Sequence, residues 1–232
     1  MKEFVENLLP YERDLFFLLN GSDSVFLDNI MSTISGRWVW IPLYLFVVFL
    51  LFYKTPKKDA LLTLIFFVLV FALCDQFSSG LVKPFFERLR PGHHPDFKDL
   101  VDIVNGHRGG GFSFISGHAT NCFGFAVFLS LVFRNRWVTL VALVWATSIS
   151  YSRIYLGMHF ISDVAGGIIA GVLIAVAMYV ALILLRKELF KLESSEKTRI
   201  YSGQHDKLLW IGFASYLLAV ILFSLFLAGL SL

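Results

Sequence analysis

The chain has 232 residues, of which 57% are hydrophobic, and a formal net charge of +3 at pH 7, with a mean hydropathy of +0.72. Because an ordinary soluble domain is only about 45–50% apolar, this composition predicts a membrane protein. The small net charge, and the lack of a basic stripe interleaved with aromatic residues, exclude nucleic acid from the expected partners.

The first 36 residues differ from the rest of the chain because acidic residues interrupt them. They lack a basic region followed by an apolar run, so we expect no cleaved signal peptide. Leu8 to Leu19 has an amphipathic pattern, which predicts a helix lying along the membrane interface. We therefore expect residues 1–36 to form an N-terminal interfacial segment and residues 37–232 a transmembrane domain. The acidic residues are Glu3, Glu6, Glu12, Asp14, Asp23 and Asp28.

Apolar windows follow one another through the rest of the chain. A helix needs about 20 largely apolar residues to cross a bilayer core of about 30 Å. The sequence therefore predicts an all-α, polytopic membrane helix bundle with about six transmembrane helices. In one window, Gly167 and Gly171 are four residues apart, and such small side chains let helix backbones approach closely in lipid. The windows are 38–53, 60–81, 117–133, 137–152, 162–185 and 208–231.

Lysine and arginine concentrate in three of the loops between these windows, at 54–58, 134–136 and 186–207. Cytoplasmic loops carry such an excess, and these three loops alternate onto one side of the bundle. The polar loop 82–116 and the junction 153–161 then lie together on the opposite side. We expect that side to face the periplasm from the inner membrane of a bacterium.

Three short motifs fall on that opposite side. Taken alone, each has an ordinary explanation: basic side chains near a helix end can extend to the interface, and a serine before a helix is a common N-cap. Their joint occurrence at one face is what requires another explanation. The motifs are Lys83-x6-Arg90-Pro91, Ser116-Gly117-His118 and Ser152-Arg153-x5-His159-x3-Asp163.

Together the motifs provide what displacement at phosphorus requires: a nucleophile, an acid for the leaving group and a cage for the equatorial oxygens. His159 and Asp163 are four residues apart, which would place them on one helix face, so the carboxylate can accept from one imidazole nitrogen and aim the other. Arginine and lysine suit phosphoryl oxygens. Backbone amides at the start of a helix add donors where the helix dipole favours an anion.

This pattern resembles the type 2 phosphatidic acid phosphatase family, whose signature reads K-x6-R-P, then P-S-G-H, then S-R-x5-H-x3-D. The resemblance covers about residues 60–185. It departs at Ile115, where the family usually has proline, a change that removes no ligand. The family shares its helical core with vanadate-dependent haloperoxidases, but those relatives are soluble, so the apolar windows argue against that activity here.

The resemblance implies a role for each matched residue and no metal or other cofactor. His159 would attack phosphorus to form a phosphohistidine, Asp163 would hold its imidazole, and His118 would protonate the departing oxygen. The remaining matched residues would bind the phosphoryl oxygens of a lipid phosphate. These are Lys83, Arg90, Ser116, Gly117 and Arg153.

Two other classes of function remain to be considered. A metal-dependent hydrolase could use His107, His118, His159 and Asp163 as ligands, although the sequence has no H-E-x-x-H and the neighbouring cations would repel a metal. A transporter could line an ion path with the same charges.

Among lipid substrates, we favour undecaprenyl diphosphate or a broad range of lipid phosphates. Phosphatidylglycerol phosphate, phosphatidic acid and a lipid A phosphate stay open, because no residue chooses among them.

Overall fold

The computed structural model describes residues 2–106, 108–191, 200–201 and 203–230. Across these residues the chain forms helices and no β-strand, so the predicted all-α class is confirmed. The segment Gln76–Val82 continues α5 as a π-helix into the short helix α6. The helices are α1 Lys2–Glu6, α2 Leu9–Leu19, α3 Val25–Ser35, α4 Ile41–Phe52, α5 Lys57–Asp75, α6 Lys83–Phe86, α7 Gly117–Phe133, α8 Arg136–Tyr155, α9 Ile161–Phe190 and α10 Gln204–Leu230.

Each predicted apolar window overlaps one of the longer helices, namely α4, α5 and α7 to α10. By length and composition, three stretches of the described chain could cross a membrane: Lys57–His93, Ile161–Phe190 and Gln204–Phe226. A fourth is the pair Val25–Ser35 and Trp38–Phe52, bent by 67°. The polytopic membrane bundle is thus confirmed, and the expected number of about six spans stays a prediction. Helix α7, with 17 residues, is a shorter apolar helix than these candidates.

Helix α7 lies at the centre of the bundle, against α5, α8 and α9. Its contact with α9 is between backbones, because two glycines of α9 face it. A Cβ atom on Gly167 would lie 2.7 Å from the carbonyl oxygen of Ser116, and one on Gly171 would overlap the carbonyl oxygen of Thr120. The predicted close packing at these two glycines is confirmed.

The two ends of the bundle carry different loops, as the charge pattern predicted. At one end, Arg186 Nε of α9 contacts Asp59 Oδ1 at the start of α5 at 2.6 Å. The turn between α7 and α8 lies at the same end, because Arg134 borders the same pocket as Ile183 and Leu184 near the end of α9. At the other end, the start of α7, the end of α8 and the start of α9 meet. The basic connector 186–207 is only partly described, because 192–199 and 202 lie outside the described residues.

The N-terminal helices pack onto the bundle. Helix α2 covers Leu9–Leu19, so the amphipathic helix predicted there is confirmed. Its inner face is Leu9, Glu12 and Phe16, which are buried, and Phe16 contacts Phe160 at 5.3 Å between ring centroids. Helix α3 packs against α8 and α10. The location of this segment at the membrane interface stays a prediction.

Candidate active site

The polar loop after α6 folds back over the start of α9 and brings the three motifs together. Helix α6 ends at Glu87 in the left-handed conformation, with φ 49°, which turns the chain away from the helix axis. Ser113 N then donates to the carbonyl oxygen of Arg88 at 2.8 Å, and Ser116 N donates to that of Asp163 at 2.9 Å. Backbone hydrogen bonds therefore fasten the first motif to the loop just before the second motif, and the second motif to the third.

His159 and Asp163 meet, but they do not share a helix face as the spacing predicted. Helix α9 begins at Ile161, so His159 lies in the turn before it. Asp163 Oδ2 bends back to accept from the amide of Phe160 at 2.9 Å, which caps the helix. The same oxygen faces His159 Nδ1 at 3.4 Å and accepts a hydrogen bond from the Ser113 hydroxyl.

The contacts of His159 fix which of its nitrogens is free to react. Arg90 Nη1 lies 3.3 Å from His159 Nε2, and because a guanidinium can only donate, Nε2 must accept. The proton of the neutral ring is then on Nδ1, facing Asp163. The residue is only 1% exposed, and burial lowers the pKa of His159 to about 3. His159 thus presents an unprotonated Nε2 to the neighbouring space.

That space is a cavity of about 390 Å³. Polar lining residues include His118, His159 and the cations of the motifs, together with Gly117. Apolar or aromatic lining residues come from α4, α5 and α8 and include Tyr44, Phe71 and Ile149. The structure therefore brings both predicted histidines to one cavity together with Lys83, Arg90 and Arg153.

Ser116 and Ile115 are buried and are not among the residues that line the cavity. The Ser116 hydroxyl caps α7 by accepting from Ala119 N at 3.4 Å, and Ser116 does not line the cavity, so its predicted contact with substrate stays a prediction. Ile115, where the family usually has proline, is 3% exposed and packs with Val82 and Ala170.

Sequence reasoning missed two contributions from the N-terminal helices. The first is a buried network in which Arg88 joins Glu12 of α2 to Asp163, with 2.7 Å for each ion pair. The second is the end of α3 and the residues after it, where Ser35 accepts a hydrogen bond from Arg153 and Arg37 adds another cation to the cavity lining. The only sequence signals for the first contribution were Glu12, an acidic residue within the amphipathic pattern, and Arg88, an extra arginine two residues before Arg90.

A metal cluster is not evident in the part of the chain that the structure describes, where no three His, Cys, Asp or Glu side chains converge as ligands. His107, one of the ligands considered for a zinc site, lies outside the described residues.

Comparison with known proteins places this geometry in context. The family model described as the PAP2 superfamily matches residues 60–187. A lipid A 4'-phosphatase of Porphyromonas gingivalis is 38% identical over 221 residues, covering 95% of this chain and 94% of that protein. A lipid A 4'-phosphatase of Bacteroides thetaiotaomicron is 40% identical over 169 residues, covering 72% of this chain and 75% of that protein.

A solved structure is also similar: the PAP2-type phosphatidylglycerolphosphate phosphatase of Bacillus subtilis. Its TM-score is 0.54 and its sequence is 26% identical, and the match covers 83% of this chain and 89% of that one.

Proposed function

Because this chain belongs to the PAP2 superfamily and is a bacterial membrane lipid phosphatase, we propose that it removes a phosphate group from lipid A, at the 4' position. The observation that carries this choice is the 38% identity to the Porphyromonas gingivalis protein over 95% of this chain. That match extends well beyond residues 60–187 and so includes much of the N-terminal part that helps to line the cavity. Undecaprenyl diphosphate, favoured from the sequence alone, becomes an alternative.

The mixed polar and apolar lining of the cavity supports a phosphate carried by an amphiphile. Its cations provide the bidentate and point-charge contacts that phosphoryl oxygens accept. The aromatic residues Tyr44 and Phe71 in the lining suit a substrate held in lipid. The relatives are named as phosphatases, so the transporter considered from the sequence has no support.

In the proposed first step, the lone pair on His159 Nε2 forms a bond to phosphorus and the bond from phosphorus to the sugar oxygen breaks. That oxygen takes a proton from His118. The ring of His159 becomes positively charged, with its Nδ1 proton held toward Asp163. Arg90, Lys83 and the Gly117 amide stabilise the phosphoryl oxygens in the transition state.

In the second step, water attacks the phosphohistidine while His118, now neutral, accepts its proton. The phosphorus–nitrogen bond breaks and inorganic phosphate leaves, which returns both histidines to their starting states. The two steps consume one water and need no redox partner.

We place the site on the periplasmic side of the inner membrane. The end of the bundle away from the cavity carries Lys54, Lys57, Arg134 and Arg186, an excess typical of cytoplasmic loops. The phosphate group of lipid A would then be reached from the outer leaflet side of that membrane.

The test is phosphate release by purified protein from a panel of lipids, with and without a chelator. The panel holds lipid A with and without its 4'-phosphate, undecaprenyl diphosphate, phosphatidylglycerol phosphate and phosphatidic acid. We expect the highest kcat/KM on 4'-phosphorylated lipid A, unchanged by chelator, with the loss of one phosphate confirmed by mass. Efficient turnover of undecaprenyl diphosphate with lipid A untouched would replace the proposed substrate. Inactivation by the chelator would revive the metal-dependent alternative.

A further inference from the structure

A carboxylate from outside the family-matched residues is built into the support of His159. Glu12 lies on α2, far from residues 60–187 in the sequence, and is 8% exposed. Its Oε1 accepts from Arg88 Nη2 at 2.7 Å and from the Ser162 hydroxyl at 2.7 Å. Its Oε2 accepts from the Ser162 amide at 2.7 Å. Glu12 therefore has specific partners on both of its oxygens.

Arg88 connects Glu12 to Asp163, the residue that faces His159. Its Nη1 donates to Asp163 Oδ1 at 2.7 Å and to the Ser162 hydroxyl at 2.7 Å, and its guanidinium lies 4.4 Å from the Phe160 ring centroid. Arg88 and Asp163 are both 0% exposed. Because the other oxygen of Asp163 faces His159, an unbroken set of contacts joins Glu12 to the imidazole.

The charges in this network explain why a second carboxylate is useful. Arg88 and Asp163 alone would form a neutral pair, in which the guanidinium offsets the charge that Asp163 offers to the imidazole. With Glu12 present, one buried cation is shared by two carboxylates, so the network keeps a formal charge of −1. Attack by Nε2 makes the His159 ring positive, and electrostatic interactions are strong in such a buried site.

Helix α2 is held in place by apolar contacts as well as by this ion pair. Phe16, one turn after Glu12, is fully buried, and it contacts Phe160, the residue next to His159. Phe97 of the polar loop contacts the Phe160 ring at 5.8 Å. The packing of helix α2 thus fixes the position of Glu12 relative to the turn that holds His159.

We propose that Glu12 is a positioning residue of the active site, which acts on His159 through Arg88 and Asp163. This inference rests on the proposed role of His159 as nucleophile. Helix α2 is then a working part of the phosphatase, although it lies outside the residues that the family model matches.

The test compares two changes that separate charge from shape. Glu12→Gln keeps the shape of the side chain but removes its charge, whereas Glu12→Asp keeps the charge and shortens the side chain. With p-nitrophenyl phosphate as substrate, we expect Glu12→Gln to lower kcat by about tenfold or more, with KM changed by less than about twofold. Glu12→Asp should retain more kcat than Glu12→Gln. The inhibition constant of inorganic phosphate should stay unchanged, since the cavity cations are intact.

Asp14→Asn is the matched control, because it removes the same charge from the exposed side of the same helix and should leave kcat unchanged. Arg88→Lys provides a second route if Glu12→Gln does not fold. It keeps the charge but loses the fork that reaches both carboxylates, so kcat should fall at unchanged KM. When both single variants fold, the double variant should show less than additive loss.

The inference is overturned if Glu12→Gln matches the parent, if it keeps more kcat than Glu12→Asp, or if KM and the phosphate inhibition constant rise together with the loss. His159→Ala separates this inference from the proposed function. If that variant still turns over substrate, the proposed nucleophile is wrong. If it is inactive while both Glu12 variants are normal, only the role of Glu12 fails.

Discussion

Gly109 is the position where one added methyl group would disturb the site most directly. Its φ is +67°, and a Cβ there would lie 3.2 Å from Arg90 Nη1 and 3.0 Å from the sulfur of Met158. Arg90 Nη1 is the atom that donates to His159 Nε2 at 3.3 Å. Gly109→Ala therefore displaces a cation that borders the reacting nitrogen.

Gly111 offers a control with the same backbone conformation. Its φ is +68°, and a Cβ there would meet nothing within 4 Å. A left-handed alanine costs about 1–2 kcal/mol, and the smaller freedom of the unfolded chain offsets about 0.4–1 kcal/mol of that. Both variants should thus lose about 1 kcal/mol of folding stability. Only Gly109→Ala adds the displacement of Arg90.

The effect on activity follows from the size of that displacement. A misplacement of about 1 Å can cost about 10²-fold in rate, and contacts at 3.0–3.4 Å require a shift of a few tenths of an ångström. We therefore expect kcat/KM to fall about tenfold in Gly109→Ala, or about 1.4 kcal/mol of transition-state stabilisation. Gly111→Ala should stay near the parent value.

Initial rates and thermal unfolding of both purified variants provide the measurement. Equal activities for the two alanine variants would refute the reasoning, because they would show that Arg90 does not depend on the space at Gly109. A much larger loss of stability in Gly111→Ala would contradict the backbone argument.

Three further predictions concern the same residues. His159→Ala should abolish turnover of every substrate. His118→Ala should keep an initial burst with p-nitrophenyl phosphate, because that leaving group needs no proton, but its rate on a lipid phosphate should fall about 10²–10⁴-fold. A burst in His159→Ala alone would reverse the two roles. Arg153→Lys should lower kcat/KM by about tenfold or more because the fork geometry is lost, and near-normal kinetics would reduce Arg153 to a structural role. In intact spheroplasts, an impermeant thiol reagent should label Lys98→Cys and not Lys57→Cys, and the opposite pattern would invert the orientation.

The pKa of His159 predicts how folding stability depends on pH. Its folded-state value of about 3 lies below the unfolded value of about 6.5, so the unfolded chain binds more protons between the two. The stability contributed by the neutral ring is complete above about pH 6.5 and is lost as the pH falls toward 3. His159→Gln should flatten this part of the curve of unfolding free energy against pH, and an unchanged slope would contradict the assignment.

The catalytic constellation could be predicted from the sequence because its members occur in short, fixed spacings. Lys83 to Arg90 and Arg153 to Asp163 are local patterns, and Lys83, Arg90, Arg153 and His159 line one cavity. The geometry within the last motif was less predictable. The turn at His159 depends on the capping contact between Asp163 and the Phe160 amide. A continuous helix would have the same spacing between His159 and Asp163, so the spacing does not predict the turn.

The N-terminal contributions could not be predicted, because they depend on which helices pack together. Glu12 and Arg88 are 76 positions apart, and Ser35 and Arg153 are 118 apart. Neither pair has a local pattern that signals the other partner.

The glycine contact between α7 and α9 has a mechanical consequence for how substrate reaches the cavity. Where backbones touch without intervening side chains, the two helices have little room to shift against each other. One of them carries His118 and the other carries Asp163, so we expect the spacing of these groups to change little when substrate binds. We then expect a bulky lipid to enter past lining residues that lie on other elements, such as Gly36 and Arg37 at the bend between α3 and α4, and Gly109 and Gly110 in the polar loop.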